Sequence, residues 1–137
     1  MAKITIKSKG FDSAHYLAGE GLHGHHYHLE LDITGDIEKG MVHDFIDAER
    51  RLNEAGGELD HKLILGKSDA TTIKGEFITA REGYVFPKKD VVIIPYASST
   101  SESIGLHLLE KLKPNFPRNK KLTIRIGERP ETMATIE

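Results

Sequence analysis

Cysteine is absent from this 137-residue chain. That excludes a disulfide framework, a thiolate zinc ligand and a cysteine nucleophile, so any metal or base chemistry must use His, Asp or Glu. An excess of either charge is also missing. Lys plus Arg number 19 against 21 Asp plus Glu, a formal net charge of −2, so the electrostatic footprint of a nucleic-acid or anionic-membrane binder is lacking. No apolar run approaches the roughly 18 residues of a membrane span. The first residues, Met1-Ala2-Lys3-Ile4-Thr5, lack the apolar stretch of a signal peptide. The expectation is a cytoplasmic protein with no nucleic-acid and no membrane partner. What the chain does have is histidine. There are 8, and His15, His23, His25, His26 and His28 fall in one short N-terminal window.

The length suits a single domain spanning 1–137. Lys3 to Lys7 alternates polar and apolar like a half-buried strand, and Phe11 to His15 continues it after Gly10. Tyr27, Leu29, Leu31 and Ile33 alternate with His28, Glu30, Asp32 and Thr34 in a second period-two run. Asp44 can cap a helix over about 44–56, with Phe45, Ala48, Leu52 and Ala55 at helical spacing and Gly56-Gly57 as a stop. Phe77 to Ala80 and Tyr84 to Phe86 read as hairpin arms within an insert over about 66–98. Ser99-Thr100-Ser101-Glu102 fits a capping box, in which a hydroxyl and a glutamate three residues on satisfy free amides; this gives Glu102 a structural role. Ile104, Leu108 and Leu112 then face the core until Pro114. Leu122, Ile124 and Ile126 alternate in a last strand that carries Glu128 to its end. The order predicts an α+β fold, not a parallel βαβ series.

His23 and His25 share parity with the apolar face of the second run, whereas His26 and His28 share parity with its charged face. His23-Gly24-His25 therefore puts two imidazoles on one side of a strand, and His15 on the preceding strand can add a third. Three histidines leave one coordination position open, the arrangement of a catalytic zinc site. Spacing alone also admits a reading in which these histidines face solvent. His26, His28, His43 and His107 are read as solvated or packing residues.

Taken in order, Phe11-Asp12-Ser13-Ala14-His15, His23-Gly24-His25-x-Tyr27, Asp44-Phe45, Leu59-Asp60-His61, Thr100-Ser101-Glu102 and Glu128 resemble the 6-pyruvoyl-tetrahydropterin synthase family, which includes the bacterial 6-carboxytetrahydropterin synthases. The resemblance covers nearly the whole chain. It implies the tunnelling fold: an antiparallel sheet with two helices on one face, assembled into a ring as a homohexamer, a dimer of trimers, with sites between subunits. It also implies Zn2+ on His15, His23 and His25, an acid–base pair in Asp60 and His61, and a pterin anchor in Glu128. The chemistry suits these roles, because a pterin edge presents an amino group and a ring N–H that one carboxylate can accept together. Asp60 and His61 are sequence neighbours, so a shared relay needs an irregular backbone or a bridging hydrogen bond. Alone, Glu128 would read as an exposed strand-end acid and the Asp60–His61 pair as a surface loop pair.

The chain departs from the family pattern at one point. The main branch has a catalytic Cys four residues before the first His of His-x-His, where this sequence has Gly19. Glu20 follows, giving Glu-x-x-His-Gly-His, similar to a variant branch whose glutamate replaces the cysteine. That branch acts on the pterin triphosphate substrate, 7,8-dihydroneopterin triphosphate, breaking the C1′–C2′ bond to release 6-hydroxymethyl-7,8-dihydropterin for folate-type synthesis. Glu20 is thus the expected catalytic base. The alternatives are a 6-pyruvoyl or 6-carboxy product, a non-enzymatic zinc-binding oligomer of the same fold, and an exposed Gly-Glu-Gly loop tip at Glu20.

Overall fold

A computed structural model describes residues 1–137. Alternation builds the centre of the fold. β3 (Gly21–Gly35) is a 15-residue strand on which Tyr27, Leu29, Leu31 and Ile33 are fully buried. Its long edge serves two partners in succession. β2 (Phe11–Leu17) pairs with its first half, from Leu17↔Gly21 to Phe11↔Tyr27, and β1 (Ala2–Lys7) with its second, from Lys7↔Glu30 to Ala2↔Gly35. On the other edge lies β9 (Lys121–Arg129), followed by β10 (Thr132–Ile136).

The sheet has seven strands in the order β10-β9-β3-β2-β4-β8, with β1 also on β3. β4 (Leu63–Gly66) runs parallel to β2, and β8 (Val91–Ile94) parallel to β4. The sheet is therefore mixed, where an antiparallel one was expected. Between β4 and β8 the chain forms a separate three-stranded sheet of β5 (Ala70–Lys74), β6 (Phe77–Ala80) and β7 (Val85–Pro87). The expected hairpin is its β6–β7 part, and β8 returns to the main sheet.

Two helices, α1 (Phe45–Gly57) and α2 (Ser101–Leu112), join one core with Leu29, Leu31, Ile33, Ile124 and Ile126. Asp44 caps α1 as expected, accepting from the Ile46 amide at 3.0 Å. Phe45 does not face the core; it is 60% exposed, and the buried stripe is Ala48, Leu52 and Gly56. The helix ends at Gly57, at the Gly56-Gly57 stop, and Gly56 has a packing role as well. A β-carbon there would sit 3.3 Å from the Phe11 ring, so the glycine admits close packing of α1 on β2. No helix is long and apolar enough to cross a membrane.

The sheet face away from the helices carries a charged pair in a buried place. Arg125 donates to both oxygens of Asp32, at 2.6 and 2.9 Å, and Thr5 donates to the same carboxylate at 2.6 Å. The Arg125 guanidinium and then the Thr5 hydroxyl outweigh burial and hold the Asp32 carboxyl at about 2, below its ordinary 3.8. The folded value lies below the unfolded one, so this stabilisation is complete above pH 4 and is lost as pH falls from about 4 to 2. Asp32→Asn should lower unfolding free energy by about 2 kcal/mol at pH 7. The deficit should shrink at pH 2.5, and denaturant unfolding at both pH values checks it.

Candidate functional site

The β2–β3 register assembles the site. His15 lies opposite His23 and Ser13 opposite His25, so cross-strand pairing puts three imidazoles on one face. His15 is fully buried, and its Nδ1 donates to the Ser99 carbonyl at 2.7 Å. Ser99 is itself held by its hydroxyl donating to the Tyr16 carbonyl at 3.1 Å. The His23 Nδ1 donates to the Gly21 carbonyl at 3.2 Å. Carbonyls only accept, so Nδ1 carries a proton in both rings, and in the neutral form of each, the form a metal ligand takes, Nε2 carries the lone pair. These two Nε2 atoms stand 2.9 Å apart.

Two lone pairs at that distance repel unless a cation lies between them. The His25 Nε2, buried beside them, has no hydrogen-bond partner. Burial pushes the His15 pKa down, keeping that ring neutral as a metal ligand must be. The structure thus brings His15, His23 and His25 together, with a donor set suited to a divalent cation. Glu128 completes the cluster: its Oε1 lies 3.3 Å from His25 Nε2 and 3.7 Å from His15 Nε2, and the four donor atoms fall within 4.8 Å of one another.

Glu20 occupies the β2–β3 turn, with its amide donating to the Leu17 carbonyl at 3.1 Å. Its carboxylate approaches His23 Nε2 at 3.9 Å. Glu20 and Glu128 line one cavity of about 610 Å³, together with Leu17, Thr100, Glu102 and Met133. Gly19 has a φ of +88°, a conformation a cysteine would enter only with strain.

Glu102 differs from expectation. Thr100 caps α2, accepting from the Ser103 amide at 3.2 Å, so Glu102 takes no part in the cap and is instead a wall of this cavity. The signal was present in the sequence, since Thr100 and Ser103 form an equally good hydroxyl cap one residue later. Tyr27 was also missed. It is fully buried, edge-on to His15 and His25, and its hydroxyl has no partner.

A second cavity, of about 590 Å³, is lined by His61 and not by its neighbour Asp60. His61 is there with Asp12, His26, Lys62, Phe86 and Asp90. Asp60 accepts from the Asp12 amide at 2.9 Å, while the His61 amide donates to the Asp12 carbonyl at 2.7 Å. The required backbone irregularity is present: His61 has a φ of +60°, which turns its ring back to meet Asp60 at 3.0 Å. The Asp12 amide, and then the His61 ring, hold the Asp60 carboxyl below its usual range. The two cavities share no lining residue, and within one chain His61 is 79% exposed. His25 connects them, lining the second while its Nε2 meets Glu128 in the first.

Comparison with known proteins agrees with this architecture. The family model described as 6-pyruvoyl tetrahydropterin synthase matches residues 3–137. A putative 6-carboxy-5,6,7,8-tetrahydropterin synthase of Pyrococcus abyssi is 31% identical, over 94% of this chain and 86% of its own length. The dihydroneopterin monophosphate aldolase of Pyrococcus furiosus is 28% identical, over 88% and 83%. Among solved structures, 6-pyruvoyltetrahydropterin synthase of Plasmodium vivax, in a variant whose catalytic glutamate is alanine, superposes with a TM-score of 0.85 at 31% identity. The match covers 98% of this chain and 96% of that one. With the match running through strands, helices and histidine cluster alike, the chain belongs to the 6-pyruvoyl tetrahydropterin synthase family of pterin-metabolising enzymes.

Proposed function

We propose that the protein is a zinc-dependent lyase that cleaves the C1′–C2′ bond of 7,8-dihydroneopterin triphosphate, releasing 6-hydroxymethyl-7,8-dihydropterin. The observation that carries this reading is the single cavity shared by Glu20 and Glu128, with the histidine cluster between them and no cysteine in the chain. The catalytic glutamate of the Plasmodium vivax relative and the aldolase named in Pyrococcus furiosus support it.

Bound by His15, His23 and His25, Zn2+ would supply Lewis acidity to the side-chain hydroxyls and make them easier to deprotonate. Glu128 accepts the pterin amino group and ring N–H, which fixes the ring in the cavity. Cleavage takes one proton from the 2′-hydroxyl and returns one to C1′, while the pterin ring holds the bonding electron pair between these events. A two-carbon aldehyde leaves with the phosphate chain. Glu20 takes the first proton, and the Asp60–His61 pair delivers the second. Because His61 lines a separate, open cavity, the pair is to be supplied by a neighbouring subunit in a ring, the homohexamer that the family resemblance implies. The rival product, 6-carboxy or 6-pyruvoyl, is favoured by the name of the Pyrococcus abyssi relative; a main-branch thiolate for that chemistry is missing here.

Mass spectrometry of the product from 7,8-dihydroneopterin triphosphate tests the reaction. A hydroxymethyl product supports it, and a carboxy or pyruvoyl product overturns it. Glu20→Gln should reduce kcat about 10²- to 10⁴-fold with pterin binding nearly unchanged; near-normal turnover would leave Glu20 a turn residue. His23→Ala should abolish stoichiometric zinc in metal analysis, and a strong chelator should remove activity that added Zn2+ restores. Glu128→Ala should weaken binding of a pterin by about 30- to 1000-fold, equivalent to about 2–4 kcal/mol for a charge-assisted pair in a desolvated site. An unchanged dissociation constant would remove the anchor role.

A further inference from the structure

We propose that Glu128 alternates between two partners: without substrate it closes the three-histidine site as a fourth metal ligand, and it leaves the ion when a pterin binds. This rests on the reading of the histidines as a zinc site and of Glu128 as the pterin anchor. Zn–N and Zn–O bonds are about 2.0–2.2 Å, so neighbouring donors in a tetrahedral site stand about 3.3–3.5 Å apart. The donor atoms here are gathered closely enough to close on one ion. Three of their six separations measure 2.9 Å (His15 to His23), 3.3 Å (His25 to Glu128) and 3.7 Å (His15 to Glu128), and all six fall within 4.8 Å. Glu20, at 3.9 Å from His23, does not belong to this group of four.

Nothing else holds the Glu128 carboxylate. Its ion-pair partners are His15 and His25 alone, and no Lys or Arg reaches it, although Arg129 is its chain neighbour. The side chain is part-exposed on the cavity wall, with room to turn. The two roles compete. Each carboxylate oxygen has two lone pairs, but a planar bidentate grip on a pterin edge sets the direction of both oxygens, and the present pose turns Oε1 toward the imidazoles. Turning Glu128 onto a pterin edge draws it off the ion. Departure of the carboxylate converts a closed four-ligand site into an open three-ligand one, so a coordination position appears only over an anchored substrate.

Zn2+ affinity, measured on the full-length apoprotein by competition with a chromophoric chelator, tests the first half. Glu128→Gln should weaken Zn2+ binding at least about 10-fold, the lower range seen for loss of even an outer-shell partner. Glu20→Gln should leave the affinity unchanged. The second half needs no variant: in Co2+-substituted wild type, 7,8-dihydropterin should shift the visible spectrum toward that of Co2+-loaded Glu128→Gln. This pterin has the anchoring edge but no side-chain hydroxyls to bind the metal. Equal Zn2+ affinities for wild type and Glu128→Gln, or a cobalt spectrum unmoved by saturating 7,8-dihydropterin, would overturn the proposal. A loss of affinity in Glu20→Gln instead would assign the fourth ligand to Glu20 and overturn it too. In each of those cases the three-histidine reading stands if His23→Ala loses zinc, and falls if His23→Ala binds zinc as wild type does.

Discussion

The register of β2 on β3 is the constraint on which the site depends. His15 opposite His23 and Ser13 opposite His25 place three imidazoles within ligand distance. Because side chains alternate at a period of two, a slip by one residue would send His15 to the opposite face and dissolve the cluster. The register is secured at both ends. At one end the short turn through Gly19 closes Leu17 onto Gly21, with φ values of +88° and +83° that glycine adopts freely. At the other, Phe11 stacks on Tyr27 with ring centroids 5.1 Å apart, and both rings are in the core. Between them the Ser99 carbonyl, from a distant segment, orients His15.

β3 joins stability to function by dividing its length. Beyond Tyr27 its inward residues Leu29, Leu31 and Ile33 are fully buried beneath the helices, each contributing about 1.5–3 kcal/mol by burial. Before Tyr27 the inward residues are His23 and His25, gathered with His15 into one donor cluster. The apolar half of the strand, and the Asp32–Arg125–Thr5 network on its other face, hold in place the strand that presents them.

What was legible in the sequence is what repeats locally. Period-two alternation gave β1, β3 and β9, and the same parity separated His23 and His25 from His26 and His28, as the structure has them. Helical spacing placed Leu52, Ile104, Leu108 and Leu112 in the core. Features set by distant partners were not legible. The parallel pairing of β2, β4 and β8 depends on crossovers that leave no local mark. Gly56-Gly57 was legible as the end of α1, but the packing role of Gly56 was not, because its partner, the Phe11 ring, comes from another strand. Phe45 fits the helical stripe by spacing, yet in the fold it is 60% exposed. Ser99 and Glu102 were read as one local capping motif; the fold uses Thr100 for the cap and frees Ser99 for His15 and Glu102 for the cavity.

The separation of the two cavities bears on how the proposed chemistry is completed. An acid–base pair works best when its proton transfers are shielded from bulk water, which is the reason active sites close. His61 and Asp60 have the mutual geometry of such a pair, with the left-handed His61 backbone and the Asp12 peptide fixing them, but water reaches both freely in one chain. Glu20 is similarly exposed on its turn. Three groups with assigned roles thus share one deficiency, the lack of a cover. A second copy of the chain, placed so that the wall containing His61 closes over the mouth containing Glu20, remedies all three at once. His25, which touches both cavities, is the natural seam for such a contact. If the chain assembles into the proposed ring, each chain would build half of two sites, and desolvation would arrive with assembly.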